Sequence, residues 1–263
     1  MARSNTPILS VNGAASDELQ VHTTKHLFRL VTRVLTKMRR SHEGRWRVLD
    51  APSGSGALTK FLVESLQAEV TPLEIDGSKW SYDKVPLLQH DMNLALPFGK
   101  HCFDVVICLV GIKHVGNASF AIAEFSRVLK PGGVLVLTLP NDLCMQSRLR
   151  YVLDGFVDTD WIHPMDPTSE NEAKFFHLNS LLSLPYLYYF LNKSGFIFES
   201  ALTSRYRGWS VILSILFYPL IYIAGVIAVP ANHPLRAEMR SFVWLSGRHN
   251  LVVVRKALRY ESP

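Results

Sequence analysis

The chain has 263 residues, of which 48% are hydrophobic and 19% are charged, so it is long and apolar enough to bury a large core and is not an intrinsically disordered chain. Its net charge of +6 is local, because residues 1–47 carry nine Lys and Arg against three acids and the other residues carry nineteen of each. No apolar signal-peptide core follows the start, and the three cysteines lack metal-binding or redox spacing. We therefore expect a reduced, cytoplasmic setting and no metal site.

Residues 1–44 are predicted to form a lead-in followed by a basic amphipathic helix. Between Lys25 and Arg40 the apolar residues recur at helical spacing. Four basic residues stand four apart on the other side of this helix: Lys25, Arg29, Arg33 and Lys37. Two interpretations stay open. The basic side is either the solvated face of a helix that packs on the domain, or a surface that meets a membrane or an acidic partner.

Residues 46–140 alternate between strand-like and helix-like stretches. Strands are predicted at "WRVLDA", "EVTPLEID", "VPLLQHDMN", "FDVVICLVG" and "VLVLTLP". Helices are predicted at "LTKFLVESLQ" and "NASFAIAEFSRVLK", and "PGG" ends the second of them. The continuous apolar run of the fourth strand is typical of a strand buried on both faces. This alternation predicts a parallel sheet with helices on both faces.

The rhythm changes after residue 141. Residues 142–180 are mixed and rich in loops, and they lead to a helix at "SLPYLYYFLNKSGF" and a strand at "FIFESAL". Residues 208–235 carry no charged side chain and are predicted to be an apolar helical insertion. The closing strand is "NLVVVRKA".

The turn "LDAPSGSGAL" at residues 49–58 is built to let a ligand approach the backbone. Its glycine spacing lacks the third glycine of a dinucleotide fingerprint, and Lys60 comes too late for a phosphate-binding P-loop. The turn begins with an acid, Asp50, which suits a cationic or amino-bearing ligand better than a pyrophosphate.

Four motifs in order give the sequence a family resemblance. "VLDAPSGSG" is similar to the first motif of class I S-adenosylmethionine-dependent methyltransferases, Asp-x-Gly-x-Gly-x-Gly. "VTPLEID" resembles their second-strand motif, "HDMNLALPF" the third, and "FDVVICLVGIKHV" with "EFSRVLKPGGVLVLTLPN" the fourth and fifth strands. The resemblance covers about residues 45–142. It implies an α/β fold over residues 45–263, namely a Rossmann-like, doubly wound sheet, mostly parallel with an antiparallel last strand.

The resemblance also implies the cofactor, S-adenosyl-L-methionine, and the residues that hold it. Glu74 takes the position of the acid that binds the ribose hydroxyls, Asp91 lies near the adenine amino group, and Met92 lies beside the ring. The full predicted set is Asp50, Ser53, Gly54, Gly56, Glu74, Ile75, Asp91, Met92 and Leu109. Two positions depart from the family pattern: Pro52 replaces its first glycine, and Lys113 stands where many relatives have Glu.

The methyl acceptor is less well defined by the sequence. The resemblance implies that residues 142–194 of this chain form the substrate or lid region. A hydroxyl acceptor would benefit from a base. Three histidines are candidates: His114, His163 and His177. A looser likeness to methyltransferases of bacterial surface-polysaccharide and lipopolysaccharide genes favours O-methylation of a sugar, a glycolipid or another membrane-proximal small molecule. A quinone-biosynthesis methyltransferase and a non-catalytic binding protein are the alternatives, and a nucleic-acid substrate is not expected.

The apolar insertion is the last feature of the sequence that bears on function. "VILSILFYPLIYIAGVIAV" at 211–229 has the length and polarity of a membrane span. It lies between two strands that are neighbours in the resembled sheet, so a single crossing is not expected. We predict two short helices, bent at Pro219, that dip into one leaflet or lie in the interface at the cytoplasmic membrane face, with the helix at 25–40 adding attraction to anionic lipid. A buried hairpin or a dimer contact is the alternative, and the oligomeric state is left open.

Overall fold

The computed structural model describes residues 25–154, 182–228, 230, 233 and 236–258. Seven α-helices lie within these ranges: α1 Lys25–Arg40, α2 Ala57–Glu64, α3 Ala118–Val128, α4 Met145–Asp154, α5 Leu184–Lys193, α6 Gly208–Ala228 and α7 Phe242–Ser246. The strands are β1 Arg47–Asp50, β2 Glu69–Glu74, β3 Leu88–Gln89, β4 Phe103–Leu109, β5 Leu129–Pro140, β6 Phe196–Thr203 and β7 His249–Lys256.

The strands form one sheet in the order β3-β2-β1-β4-β5-β7-β6. The pairs from β3 to β5 are parallel, whereas β7 is antiparallel to both β5 and β6. The prediction of a mostly parallel sheet with an antiparallel last strand is therefore confirmed. The order reverses between β1 and β4, which is the point where open parallel sheets bind their ligands, beyond the carboxyl ends of the strands.

Helices cover both faces of the sheet, as predicted. On one face α1 and α2 pack against the central strands. The helices contribute Leu27, Val31, Leu35, Phe61 and Leu62 to this cluster. On the other face α3 and α5 pack through a second cluster, which includes Ile122, Phe125, Leu187 and Leu191. Residues 105–108 of β4 and 134–139 of β5 are buried, which explains why these segments are apolar apart from Thr138 rather than alternating.

The basic helix α1 packs on the domain through its apolar side. Leu27, Val31 and Leu35 are almost fully buried. The four basic residues of the row, Lys25, Arg29, Arg33 and Lys37, are exposed. The helix thus packs on the domain with its basic side exposed, as the first of the two interpretations expects.

Two predicted strands differ in extent from the observed ones. The third strand is only two residues long, because the Asp91 side chain accepts a hydrogen bond from the Asn93 amide at 2.8 Å and turns the chain away. Strand β5 begins at Leu129, before the "PGG" stretch, which lies inside the strand next to a register shift.

The prediction of two helices bent at Pro219 is wrong. Gly208–Ala228 is one helix with Pro219 inside it. A proline removes one backbone hydrogen bond of a helix, and next to it Tyr218 stacks on Phe242 of α7 with ring centroids 6.0 Å apart.

The carboxyl edge of the sheet carries both the Gly/Ser turn and helix α6. Strand β6 runs in the same direction as β5, since both are antiparallel to β7. Its last residue, Thr203, pairs with Asn250, and the last residue of β5, Pro140, pairs with His249. Helix α6, between β6 and β7, therefore leaves and rejoins the sheet at the edge where β1 and β4 end.

Candidate active site

The Gly/Ser turn between β1 and α2 is fastened to the end of β2. The Ser53 amide donates to the Leu73 carbonyl at 2.9 Å, and the Gly54 amide donates to Glu74 Oε2 at 2.8 Å. Glu74 Oε1 accepts from the Ile75 amide at 2.9 Å. Both carboxylate oxygens of Glu74 are thus held by backbone donors, and each keeps a further lone pair for a ligand hydroxyl.

The two glycines of the turn serve different purposes. Gly54 has a φ of +56°, and the position of a side chain there is open space, so its backbone is accessible to a ligand. Gly56 has a φ of +91° at the start of α2, and a Cβ would lie 3.0 Å from both Trp80 and Tyr82. Gly56 is therefore required by close packing, whereas Gly54 leaves room beside the backbone.

Asp50 ends β1 with its carboxyl group buried. Only 1% of the residue is exposed, and Oδ2 accepts a hydrogen bond from the Thr59 hydroxyl at 2.7 Å. Burial raises the pKa of Asp50 to about 7; the Thr59 hydrogen bond lowers the pKa and the charge of Glu74 raises it. A ligand that brings positive charge would favour the ionised form of this carboxyl group.

The opposite wall is the loop that follows β4. Val110 has a φ of +59°, an unusual conformation for a β-branched residue, and its amide donates to the backbone oxygen of Thr138 at 3.2 Å and to its side-chain oxygen at 2.9 Å. Gly111 comes so close to Pro52 that a Cβ would lie 2.1 Å from the proline ring. The loops after β1 and β4 are thereby locked together.

These elements enclose a cleft of about 260 Å³ at the carboxyl ends of β1, β2 and β4. Its lining combines two carboxyl groups, open backbone and apolar side chains: Phe28, Asp50, Pro52, Ser53, Gly54, Ser55, Ala57, Leu58, Glu74, Leu109, Val110, Gly111 and His114. Such a lining suits a ligand that has both a cationic end and hydroxyl groups. Burial raises the pKa of the Cys108 thiol beneath it to about 12, so this cysteine stays protonated.

The predicted cofactor residues divide into two groups. Those that line the cleft are Asp50, Ser53, Gly54, Glu74 and Leu109. Outside the lining, Gly56 packs under Trp80 and Tyr82, Ile75 is 46% exposed beside Glu74, Asp91 holds the Asn93 turn, and Met92 packs against the core. The roles of all these residues toward a cofactor stay predictions.

Of the three candidate bases, one lies at the cleft. His114 is exposed at the end of the short turn Ile112–His114 and belongs to the lining. His163 and His177 lie outside the described residues.

Phe28 is a lining residue that was not predicted from the sequence. It lies on α1 and makes an edge-to-face contact with Phe61 of α2, with ring centroids 6.4 Å apart. The apolar spacing of α1 could have pointed to it, since Phe28 adds a wider apolar sector to the Leu27, Val31 and Leu35 side.

Comparisons with known proteins found a family match over part of the chain. Residues 49–137 match the family model of a methyltransferase domain. The ubiquinone/menaquinone biosynthesis C-methyltransferase of Brucella abortus is 34% identical over 100 residues, which cover 34% of this chain and 37% of that protein. The chain thus matches little more than a third of the length of this relative.

Solved structures share the fold over most of the chain. A methyltransferase of Methanosarcina mazei described as S-adenosylmethionine-dependent superposes with a TM-score of 0.53 at 15% identity, over 85% of this chain and 98% of that one. The phosphoethanolamine N-methyltransferase 2 of Haemonchus contortus, bound to phosphomonomethylethanolamine and S-adenosylhomocysteine, gives a TM-score of 0.50 at 15% identity, over 87% of this chain and 52% of that one. The fold is that of S-adenosylmethionine-dependent methyltransferases, and residues 49–137 match the model of a methyltransferase domain.

Proposed function

We propose that this chain transfers a methyl group from S-adenosyl-L-methionine to a hydroxyl group of a small, membrane-proximal acceptor such as a sugar or a glycolipid. One observation carries the proposal: the cleft and the apolar helix α6 share the carboxyl edge of a single sheet. An acceptor attached to a lipid could therefore reach the cleft while its lipid part stays near α6.

The cleft residues fit the cofactor chemically. Glu74 has oxygens oriented by the Gly54 and Ile75 amides and would accept hydrogen bonds from the ribose diol. The buried Asp50 carboxyl group would be ionised by the positive charge of the cofactor's amino acid end. Asp91 and Met92 keep their predicted roles on the adenine side, which requires the loop after β3 to approach the cleft when the cofactor binds.

Methyl transfer asks mainly for alignment, because the sulfonium supplies an already activated methyl group. The acceptor oxygen forms a bond to the methyl carbon, the carbon–sulfur electrons return to sulfur, and the acceptor proton needs a base. His114, at the exposed rim of the cleft, would accept that proton. The products are a methyl ether and S-adenosylhomocysteine, and positioning contributes up to about 7–11 kcal/mol to such a reaction.

The proposal includes the cytoplasmic membrane face as the place of action and residues 142–194 as the acceptor-binding region. The test is a methyl-transfer assay with isotope-labelled donor against separate fractions of glycolipids, soluble sugars and quinone precursors. Label in a methyl ether of the glycan fraction supports the proposal. Cofactor binding with no labelled product in any fraction would instead favour a non-catalytic binding protein.

A quinone precursor is the second candidate acceptor. It is favoured by the similarity to the Brucella abortus enzyme, which is named for C-methylation in ubiquinone and menaquinone biosynthesis. A hydrophobic quinone would also suit the exposed apolar surface of α6. Methyl carbon bound to ring carbon, distinguished from a methyl ether by NMR of the labelled product, would replace the sugar proposal by this one.

A further inference from the structure

Helix α6 carries an apolar stripe with no protein partner on the described part of the chain. The stripe consists of Trp209, Ile212, Leu216, Leu220, Ile223 and Ile227, spaced three or four residues apart and each 54–80% exposed. At 1.5 Å per residue it is about 27 Å long. An apolar surface of this length facing water is costly for a soluble protein and indicates an interaction surface.

The other side of α6 is fixed to the domain. Ser210 and Ser214 are fully buried, and the Ser214 hydroxyl lies 2.9 Å from that of Ser246. Farther along, Arg240 packs against Gly225 and places its guanidinium 4.8 Å from the centre of the Tyr222 ring. The helix is therefore fastened along its length, with the apolar stripe facing away.

This fastening decides how α6 could meet a membrane. By length and composition the segment Gly208–Ile227 could cross a bilayer, with a mean hydropathy of 2.3 and 11% of it buried. The chain on both sides of the helix, however, connects to the same edge of one sheet, through β6 before it and β7 after it. The helix can lie in one leaflet with its stripe toward the acyl chains, but it cannot carry the chain to the other side.

Charge on either side of the helix identifies the partner. The sequence has no acidic residue between Glu199 and Glu238, while Arg205 and Arg207 precede α6 and Arg236 follows it. Arginines at both ends of an apolar helix match the phosphates of anionic lipid. A second copy of the chain docking through the same face would bring the same arginines together with only Glu238 near them in sequence, which is unfavourable.

We infer that α6 is a membrane-docking helix that lies in the interfacial region of an anionic bilayer, with its apolar stripe in the leaflet and the flanking arginines at the lipid phosphates. Trp209 at one end of the stripe suits the headgroup boundary. The docking does not depend on the methyl acceptor, so the two proposals can fail separately.

Vesicle flotation tests the inference with the full chain. The native protein should float with phosphatidylcholine vesicles that contain phosphatidylglycerol, and less well with phosphatidylcholine alone. Leu216→Glu should lower the vesicle partition coefficient at least about tenfold, since it places a charge where the docked helix would insert a leucine into the leaflet. Ile197→Glu, on the edge strand β6, changes a residue of 59% exposure away from α6 and should float like the native protein.

The arginines are tested in the same assay. Arg205→Gln with Arg236→Gln should lower binding to the anionic vesicles about fivefold per arginine and leave binding to neutral ones unchanged. The matched control is Arg45→Gln, which changes an exposed arginine far from α6 in the sequence. Calorimetry with S-adenosylmethionine on every variant reports whether the domain is folded.

Two results would overturn the docking helix. One is a native protein that stays at the bottom of the gradient with both vesicles. The other is a dimer in lipid-free buffer that Leu216→Glu dissociates, since the stripe would then be a contact between two copies. Flotation without methyl transfer would overturn only the proposed activity.

Discussion

The ring of Pro52 and the α-carbon of Gly111 are in direct contact, so that a Cβ on residue 111 would lie 2.1 Å from Pro52 Cδ and 2.6 Å from Cγ. The contact joins the loop after β1 to the loop after β4, and both loops line the cleft. The proline stands where the resembled motif has glycine. The width of the cleft at this point is therefore set by the pair of residues together.

Gly111→Ala should destabilise the protein, because the new methyl group overlaps the proline ring and both loops must move. We expect a loss of about 1–3 kcal/mol in the free energy of unfolding, together with weaker cofactor binding. Pro52→Gly combined with Gly111→Ala should recover most of the loss. Gly99→Ala is the control, since its nearest atom would lie 3.7 Å away. Thermal unfolding with equal stability of Gly111→Ala and Gly99→Ala would contradict the contact.

Asp50 should make the stability of the cofactor-free protein depend on pH. Its pKa is about 7 in the folded protein, raised mainly by burial, against an ordinary value of 3.8. The folded state then holds a proton that the unfolded state releases, so this group's contribution is fully present below about pH 4 and is lost as the pH rises to about 7.

Asp50→Asn removes this dependence, because the amide stays neutral and can still accept the Thr59 hydrogen bond. Relative to the native protein, the variant should gain stability as the pH rises from 4 to 8, by at most roughly 4 kcal/mol. Denaturant unfolding at several pH values measures the difference. A difference for Asp50→Asn that stays flat with pH would show that the buried group does not titrate in this range.

Replacement of His114 tests the base. His114→Gln should lower kcat by about 10²–10⁴-fold while the affinity for the cofactor holds, because the histidine would act on the acceptor proton alone. His26→Gln, at an exposed position of α1, should leave turnover unchanged. Unchanged kcat in His114→Gln would move the search to His163 and His177, which also stay predictions.

The central sheet could be predicted from the sequence because its strands are buried on both faces. A parallel strand buried on both faces is apolar over its buried length, and the run from Val105 to Leu109 has that composition. Gly54 could be predicted for a similar reason, since a turn with positive φ and open backbone selects glycine. Such signals are local, so they can be recognised in the sequence without knowledge of the packing.

The features that were missed depend on contacts between distant segments. Phe28 reaches the cleft because α1 packs against α2; the spacing within α1 marks Phe28 as part of the apolar side but does not encode that contact. Pro219 lies inside α6 and does not end it, although a proline removes one backbone hydrogen bond of the helix.

Calorimetric titration with S-adenosylmethionine tests the central claim most directly. Glu74→Ala and Asp50→Ala should each weaken binding by about 1.5–3 kcal/mol or more, through loss of a charged partner of the cofactor. Glu69→Ala is the matched control, because Glu69 lies at the other end of the same strand and pairs with Arg45 instead. We expect tight binding by the native protein and by Glu69→Ala, with little or none by the other two. Native-like binding by both Glu74→Ala and Asp50→Ala would contradict it.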